Sequence, residues 1–562
     1  VISIHRLFGN TTGLKPHQVK KLQTLYRRQL NPSQIVSPEL AHTLAQLSFD
    51  LNRQLGLLIN RKGGIETVIL GNDQSLTIPA LNDFRTGAGR LKGLRLLHTH
   101  LKGEGITEED RMDLALLQMD LMTALEVDKT GQAQRLYTAH LLPENAEGKE
   151  WRLLDPERVG QSQVDVSGLV RSLEEEWGRK LASKKVNPRQ ERAILVSVTT
   201  QSRSAALESL DELAELARSA GLQVVESVIQ QRKEIKPKYL MGKDRLSSLS
   251  IRALQVGAAV LIFDQDLNPS QVRSITDFTE LKVIDRSQLI LDIFAQRART
   301  REGKIQVEMA QLKYILPRLV GRDDALSRLT GGIGGRGPGE TRLEIDRRRV
   351  REKIHRLQKD LEAIRAQRKQ RRGKRQRRGL PVISIVGYTN AGKSTLLNTL
   401  THSRLTAEDR YFATLDPTSK RLRFPRDREV IITDTVGFIK NLPKDLLAAF
   451  GATLEELAEA DLLIQVVDLS NPRFEEQMAV VEDLLTQLDL GHIPIVRVFN
   501  KIDLVNPEYA RIQSNRFQGL AVSALKEETL GELIQRLEKI WEDPARSPAQ
   551  LRPVPYPPTP TP

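Results

Sequence analysis

Three short clusters in the last third of the chain carry the residue types needed to hold a nucleoside triphosphate. The first is GYTNAGKS at 387–394, preceded by the apolar run PVISIVG and followed by TLLNTL. Strand, G-x-x-x-x-G-K-S and helix, in that order, is what phosphate cradling by backbone N–H groups requires. Gly387 and Gly392 let the chain turn its N–H groups inward, so Tyr388, Thr389, Asn390 and Ala391 line the loop and Thr395 follows it. The helix N-terminus adds a dipole that favours an anion. Lys393 reaches the terminal phosphates as a point charge, and the Ser394 hydroxyl suits Mg²⁺, a hard cation that takes oxygen ligands.

The second cluster closes REVIITDTVG (428–437), an apolar strand ending in D-x-x-G. Asp434 is placed to hold Mg²⁺ and the Gly437 N–H to sense a γ-phosphate. The third closes IPIVRVFNKID (493–503), where a strand runs into N-K-x-D. A carboxylate at Asp503 accepts from guanine N1–H and the N2 amine. Adenine lacks that donor pair, and a site built on such bonds discriminates by about 10⁴–10⁵. Asn500 is expected to tie this loop to the phosphate loop, and the Lys501 stem to cover the base. VSAL (522–525) supplies Ser523, Ala524 and Leu525 to the base pocket, with the Ala524 N–H facing guanine O6. Each cluster sits at a strand end, where ligands of open α/β sheets bind. The three together imply GTP and GDP rather than ATP.

Between the first two clusters lies RYFATLDPTSKRL (410–422). A threonine there can ligate Mg²⁺ when triphosphate is bound, and spacing alone admits Thr414 or Thr418. Lys393, Thr414 and Gly437 form the expected catalytic set, with Ser394, Thr414 and Asp434 on the metal. Phe438 follows D-x-x-G, where many GTPases place a water-orienting glutamine. Phenylalanine cannot orient water, so hydrolysis by the chain alone is expected to be slow and completed by a partner.

The elements that position these clusters divide the 562 residues into five segments. Residues 1–188 mix amphipathic helices with strand-like runs and read as an α+β extension. Residues 189–300 alternate strands (ILVSVTT, AAVLIFD) with helical periodicity, the pattern of βαβ units and a parallel sheet. Residues 301–378 read as two helices interrupted by the glycine-dense TGGIGGRGPGE, an αα-hairpin ending in a cationic run. Residues 379–543 form a P-loop domain with a mostly parallel sheet, and the proline-rich 544–562 reads as a tail. The fold class is therefore multidomain α/β.

Lys and Arg number 85 against 71 Asp and Glu, a net charge of +14 with pI near 9.7. That balance favours a polyanionic partner, nucleic acid or an anionic membrane surface. Absence of cysteine excludes disulfides and thiolate metal sites. No apolar run reaches the ~18 residues of a membrane span. The N-terminal residues lack a secretory pattern, so a cytoplasmic location is expected. The sequence is silent on oligomeric state, and a monomer is favoured.

The set GYTNAGKSTLLNTLT, FATLDPT, DTVGFI and FNKID, preceded by GGIGGRGPGETRLE on a helical hairpin, resembles the HflX family of translational GTPases over residues 190–543. The resemblance implies GTP-dependent binding to the large (50S) ribosomal subunit and its rRNA, and splitting or rescue of stalled ribosomes under stress. It favours Thr414 as the switch threonine and a ribosome-stimulated turnover. Independently, Arg336, Arg342, Arg347, Arg348, Arg349 and the 365–378 run, including Arg371 and Arg372, can neutralise RNA phosphates, with affinity falling steeply as salt rises. The competing reading of that run is a solvated helix face with i,i+4 pairs.

Residues 1–188 lie outside this resemblance. LLHTHLKGEGITEED (96–110) places His98, His100 and Asp110 in an order that resembles, in degenerate form, the zinc site of MPN-type metalloproteases. Leu101 replaces an expected proline, the spacing to Asp110 is short, and the upstream general base aligns with Gln54, which cannot take a proton. These departures favour a polar turn after a strand, without metal. A metallopeptidase regulated by an appended GTPase, or a GTPase timer on another structured RNA, are the alternative functional readings.

Overall fold

The structure is a computed structural model that describes residues 7–79, 81, 90–183, 190–234, 240–279, 281–319, 342–376, 380–402, 411–412, 418–424, 429–440 and 457–542. The chain divides into two compact units, one comprising Val1–Leu210 and Gly221–Ile284, the other Asp211–Ala220 and Asp285–Pro562.

The first unit holds two sheets. An eight-stranded sheet runs in the order Phe8–Gly9, Ile65–Leu70, Leu55–Asn60, Leu94–His100, Leu121–Val127, Ala133–Leu141 and Trp151–Leu153, with Glu157–Arg158 also paired to Ala133–Leu141. Leu94–His100 is central and wholly buried. It pairs antiparallel with Leu55–Asn60 and parallel with Leu121–Val127. The helix Pro38–Leu51 packs Leu40, Leu44 and Ala45 into this core. Its start is fixed by the Ser37 hydroxyl, which accepts from Leu40 N, and its end by Asn52 in the left-handed region at φ 49°.

A four-stranded sheet follows, in the order Gln223–Gln231, Arg192–Thr199, Val260–Phe263 and Lys282–Asp285. Arg192–Thr199 pairs parallel with its neighbours on both sides. The run RAILVSVT is apolar nearly throughout because a parallel strand is covered on both faces. The helix Lys243–Val256 serves both cores. Ile251 and Leu254 join the N-terminal core, while Leu246, Leu249 and Ala253 join that of the four-stranded sheet. Arg252 on the same helix pairs with Glu144 at 2.9 Å and Glu226 at 2.6 Å.

In the second unit, the helices Arg301–Ile315 and Arg342–Gln376 pack through Ile305 and Met309 against Leu357 and Leu361, with Leu312, Ile354 and Ile364 at the margin. The 3-4 spacing of Ile354, Leu357, Leu361 and Ile364 gives the second helix a narrow apolar seam. Lys353 pairs with Glu308 at 2.5 Å, and Arg347 Nε donates to Leu319 O at 2.8 Å, so the two helices run antiparallel. At 1.5 Å per residue, the 35-residue helix spans about 52 Å.

The remaining sheet has the order Thr418–Arg423, Glu429–Asp434, Val382–Gly387, Leu462–Asp468, Ile495–Asn500 and Leu520–Ala521. Only the edge pair Thr418–Arg423 with Glu429–Asp434 is antiparallel; the other pairs are parallel. Ile383, Ile385, Ile432, Ile464, Val466 and Val498 form its core with Leu396 and Leu397 from the helix Lys393–Leu400. Among the described residues, no helix is long and apolar enough to cross a membrane.

Candidate nucleotide site

Three parallel strands deliver the chemistry to one sheet edge. Val382–Gly387 ends at the phosphate loop, Glu429–Asp434 ends on Asp434, and Ile495–Asn500 ends on Asn500. The loop geometry explains its glycines. Gly387 sits at φ 154°, and a Cβ there would meet Val466 O at 2.3 Å. Gly392 sits in the left-handed region at φ 92°, and its Cβ would meet Asn500 Nδ2 at 2.2 Å. Asn390, at φ 63°, completes the turn.

Lys393 is buried and donates from Nζ to Tyr388 O at 2.8 Å. Burial pushes its ammonium down to about 8, against the pull of the Asp434 carboxylate. Ser394 Oγ donates to Asp434 Oδ2 at 2.5 Å. These two oxygens, from the first and second clusters, are a hard donor pair beside a buried lysine, and they fit Mg²⁺ held between protein and phosphate.

Asn500 is the cross-tie. Its Nδ2 donates to Ala391 O at 2.8 Å, and its Oδ1 accepts from Ala524 N at 2.8 Å. One buried amide therefore fixes the phosphate loop, the N-K-x-D turn and the VSAL turn together. The Ala524 N–H, expected from the sequence to face guanine O6, donates to Asn500 in this structure. With its Nδ2 taken by Ala391, the Asn500 amide turns its carbonyl to the Ala524 N–H. Thr399 Oγ1 donates to Ala524 O at 2.6 Å and pins the same turn from the phosphate-loop helix.

Lys501, at φ 64°, pairs its ammonium with Asp468 at 2.7 Å. Asp503 is exposed, and its carboxylate has no protein partner among the described residues. Ser523 is buried, and its N–H donates to Thr529 Oγ1 at 2.9 Å; Leu525 is 77% exposed. Thr395 O accepts from Thr399 Oγ1 at 3.1 Å within the helix. Thr414 lies outside the described residues. Thr418 is the first residue of the edge strand.

Phe438 is buried, and its backbone pairs with the phosphate loop. Its N–H donates to Gly387 O at 3.0 Å, and its carbonyl accepts from Thr389 N at 2.8 Å. Gly437 lies so close that a Cβ would stand 2.9 Å from Lys393 Nζ and from Thr389 Cα. The segment after Asp434 is thus latched to the loop it would signal to. Sequence reading missed this latch, because backbone pairing between two loops has no side-chain signature.

It placed Tyr388 in the loop lining but missed what its hydroxyl holds. Its hydroxyl donates to Glu212, which in turn pairs with Arg286 at 2.7 Å. Glu212 precedes Tyr388 by 176 residues. The available signal was a tyrosine in a loop otherwise made of small residues.

Elsewhere, Arg336 lies outside the described residues, as do the side chains of Arg342, Arg371 and Arg372. Arg347 donates to Leu319 O within the hairpin. Arg348 approaches Glu352 at 3.7 Å and Arg349 approaches Asp346 at 3.9 Å, and both arginines are more than half exposed. His98, His100 and Asp110, in the first unit, converge on one point.

Family models match three consecutive stretches: a GTP-binding GTPase N-terminal region at 207–295, a GTP-binding GTPase middle region at 297–375 and a 50S ribosome-binding GTPase domain at 382–501. The chain is 46% identical over 349 residues to the GTPase HflX of Caldanaerobacter subterraneus subsp. tengcongensis, covering 62% of this chain and 80% of that protein. The chain belongs to the HflX family of GTPases. It is 43% identical over 368 residues to the HflX of Escherichia coli K12, covering 65% of this chain and 86% of that one. A solved GTP-binding protein from Sulfolobus solfataricus, in complex with GDP, is similar at 24% identity, with 62% of this chain and all of that chain covered and a TM-score of 0.36. The matched stretches begin inside the helix Arg203–Ser219 and run through the hairpin to the strand Ile495–Asn500, short of the edge strand Leu520–Ala521.

Proposed function

We propose that this HflX-family chain hydrolyses GTP to GDP and phosphate while bound to the large ribosomal subunit, and that this cycle serves to split or rescue stalled ribosomes. The observation that carries the reading is the Asn500 cross-tie, which joins the phosphate loop to the turns that would read the base. Asn500 and Ala391 stand inside the stretch matched by the 50S ribosome-binding GTPase model.

The chain's own groups divide the work. The N–H groups of residues 390–395 cradle the phosphates, and Lys393 exchanges its bond to Tyr388 O for phosphate oxygen. A phosphate beside the buried ammonium restores its charge, so binding takes up a proton near pH 8 and above. Asp503 reads the guanine edge with a carboxylate not engaged by other described side chains. Ser394 and Asp434, with Thr414, would hold Mg²⁺, whose chemistry when bound is to neutralise charge developing on the β- and γ-oxygens. Gly437 and Phe438 release from the phosphate loop as triphosphate enters.

The Phe438 side chain offers no polar atom to a water, so the ribosome is the source of the missing orientation. Arg348 and Arg349, exposed on the hairpin, with Arg336, Arg342, Arg347, Arg371 and Arg372, are the basic groups offered to rRNA. The segments 301–378 and 379–543 act as the ribosome-facing hairpin and the motor. The protein works in the cytoplasm as a monomer in this reading.

The test is GTP turnover by the purified chain with and without 50S subunits. A rise of at least about tenfold is expected, along with 50S binding in a non-hydrolysable GTP analogue and not in GDP. Equal stimulation by unrelated structured RNA would refute the ribosomal assignment.

A further inference from the structure

Two imidazoles and a carboxylate meet in the first unit, remote in sequence from the nucleotide clusters. His98 and His100 alternate onto one face of the buried central strand Leu94–His100. Their Nε2 atoms stand 3.0 Å apart. Asp110 reaches them from the helix Glu108–Leu116, with Oδ1 at 3.1 Å from His98 Nε2 and Oδ2 at 3.6 Å from His100 Nε2. The two histidine side chains are 1% and 3% exposed, and Asp110 is 15% exposed.

His100 and Asp110 are each held from behind. His100 Nδ1 lies 3.2 Å from the Glu104 carbonyl. A carbonyl can only accept, so Nδ1 carries the hydrogen and Nε2 turns a lone pair inward. Thr107 donates to Asp110 Oδ2 from both N and Oγ1 at 2.8 Å, in a capping box that also starts the helix. Two lone-pair donors are therefore committed to facing the His98 Nε2 atom at close range.

A proton on His98 can serve one of these contacts well. A metal ion serves all three at once. Zinc–nitrogen bonds of about 2.0–2.1 Å in a tetrahedron set ligand atoms about 3.3 Å apart. The observed 3.0, 3.1 and 3.6 Å bracket that value. Neutral imidazole with carboxylate is also a donor set suited to Zn²⁺.

We propose that His98 Nε2, His100 Nε2 and Asp110 form a binding site for one Zn²⁺ ion, with the fourth position left to water or a ligand oxygen. The short spacing to Asp110, which in the sequence argued for a metal-free turn, is what the capping box accommodates. On the neighbouring strands, Glu126 pairs with His100 in register, and the register of Leu55–Asn60 extended by one residue puts Gln54 opposite it. An amide at Gln54 supplies no general base, so the inference is of an ion held in place and not of a peptidase. The site is independent of the GTPase reading.

The experiment uses the full chain, stripped with chelator, dialysed and titrated with ZnCl₂ by calorimetry, with metal content measured on protein as isolated. One Zn²⁺ per chain with a Kd below about 1 µM is expected. His98→Ala and His100→Ala should each weaken binding at least about 100-fold. Asp110→Asn keeps an acceptor for Thr107, so it tests the ligand without uncapping the helix, and should weaken binding at least about tenfold. Cobalt substituted for zinc should give the visible bands of a four-coordinate ion, absent in His98→Ala. Retained GTP turnover and circular dichroism establish that each variant is folded. No saturable Zn²⁺ uptake by the wild-type chain, uptake unaltered by all three variants, or iron in place of zinc in the isolated protein would each overturn the proposal.

Discussion

The Tyr388 hydroxyl accepts a hydrogen bond from the Lys440 N–H at 3.0 Å, which ties the second position of the phosphate loop to the residue six beyond Asp434. The same hydroxyl donates to Glu212, and Glu212 pairs with Arg286. Burial, and then the Glu212 carboxylate, push the Tyr388 ionisation far above its ordinary value, so it remains a donor throughout the usable pH range. Tyr388→Phe removes one donor and one acceptor while leaving the Glu212–Arg286 pair whole, a loss of about 1–2 kcal/mol. Glu212→Gln removes the carboxylate charge that faces the Arg286 side chain, which is 4% exposed. Breaking such a buried pair costs about 3–5 kcal/mol. Thermal melting of the two variants should therefore rank Glu212→Gln below Tyr388→Phe and both below the parent, and the reverse ranking would remove Glu212 as the anchor of this chain.

Gly437→Ala tests the latch from the other side. Its new Cβ would sit 2.9 Å from Lys393 Nζ, Thr389 Cα and Thr389 Cγ2. Backbone on one side and a buried ammonium on the other leave little room to yield, so overpacking of about 1–3 kcal/mol is expected. The strain falls on the pairing of Phe438 with Gly387 and Thr389. GDP affinity should change by less than about threefold, since the substitution sits at the γ-phosphate end. Ribosome-stimulated turnover should drop by at least about tenfold. Unchanged turnover at saturating 50S would show that Gly437 need not approach the loop during catalysis.

What the sequence disclosed follows from where side chains carry the information. The phosphate loop, D-x-x-G and N-K-x-D were legible because each ends an apolar strand of a parallel sheet, and the hairpin because Ile354, Leu357, Leu361 and Ile364 repeat at helical spacing. The Phe438 latch was not legible, since it is backbone pairing. Glu212 was not, since its partners lie 74 and 176 residues away. The bond from the Ala524 N–H to the Asn500 amide was not legible either, since the two lie 24 residues apart. The meeting of His98, His100 and Asp110 depended on a helix start at Thr107, which residue counting to Asp110 obscured.

Asn500 and Asp503 stand three residues apart and should fail differently. Asn500 is buried and holds two backbone groups. Asn500→Ala leaves Ala391 O and Ala524 N without partners, at about 1–3 kcal/mol for each buried group. Stability and affinity for every nucleotide should fall together. Asp503 is exposed and holds no described neighbour, so Asp503→Asn should melt within about 2 °C of the parent. Its effect should appear in base choice, with preference for GTP over XTP reduced by about a hundredfold or more. Competition binding with the two nucleotides measures this, and an Asp503→Asn protein that still prefers GTP would displace Asp503 as the reader of the base.

Asp113 offers a pH test in the first unit. Burial first, and then the charges of Asp110 and Glu109, push its carboxyl up to about 6. The folded protein therefore binds this proton more tightly than the unfolded chain, whose aspartate titrates near 3.9. Stability tied to Asp113 is fully present below about pH 4 and is lost as pH rises through about 6. Asp113→Asn removes the buried charge, so in chelator the variant should be more stable than the parent at pH 7.5, by about 1–3 kcal/mol. The advantage should shrink through pH 6 and vanish near pH 4. Paired melting curves of parent and variant across pH 4–8 read the difference directly. A constant offset across that range would mean that the effect comes from packing rather than from the proton.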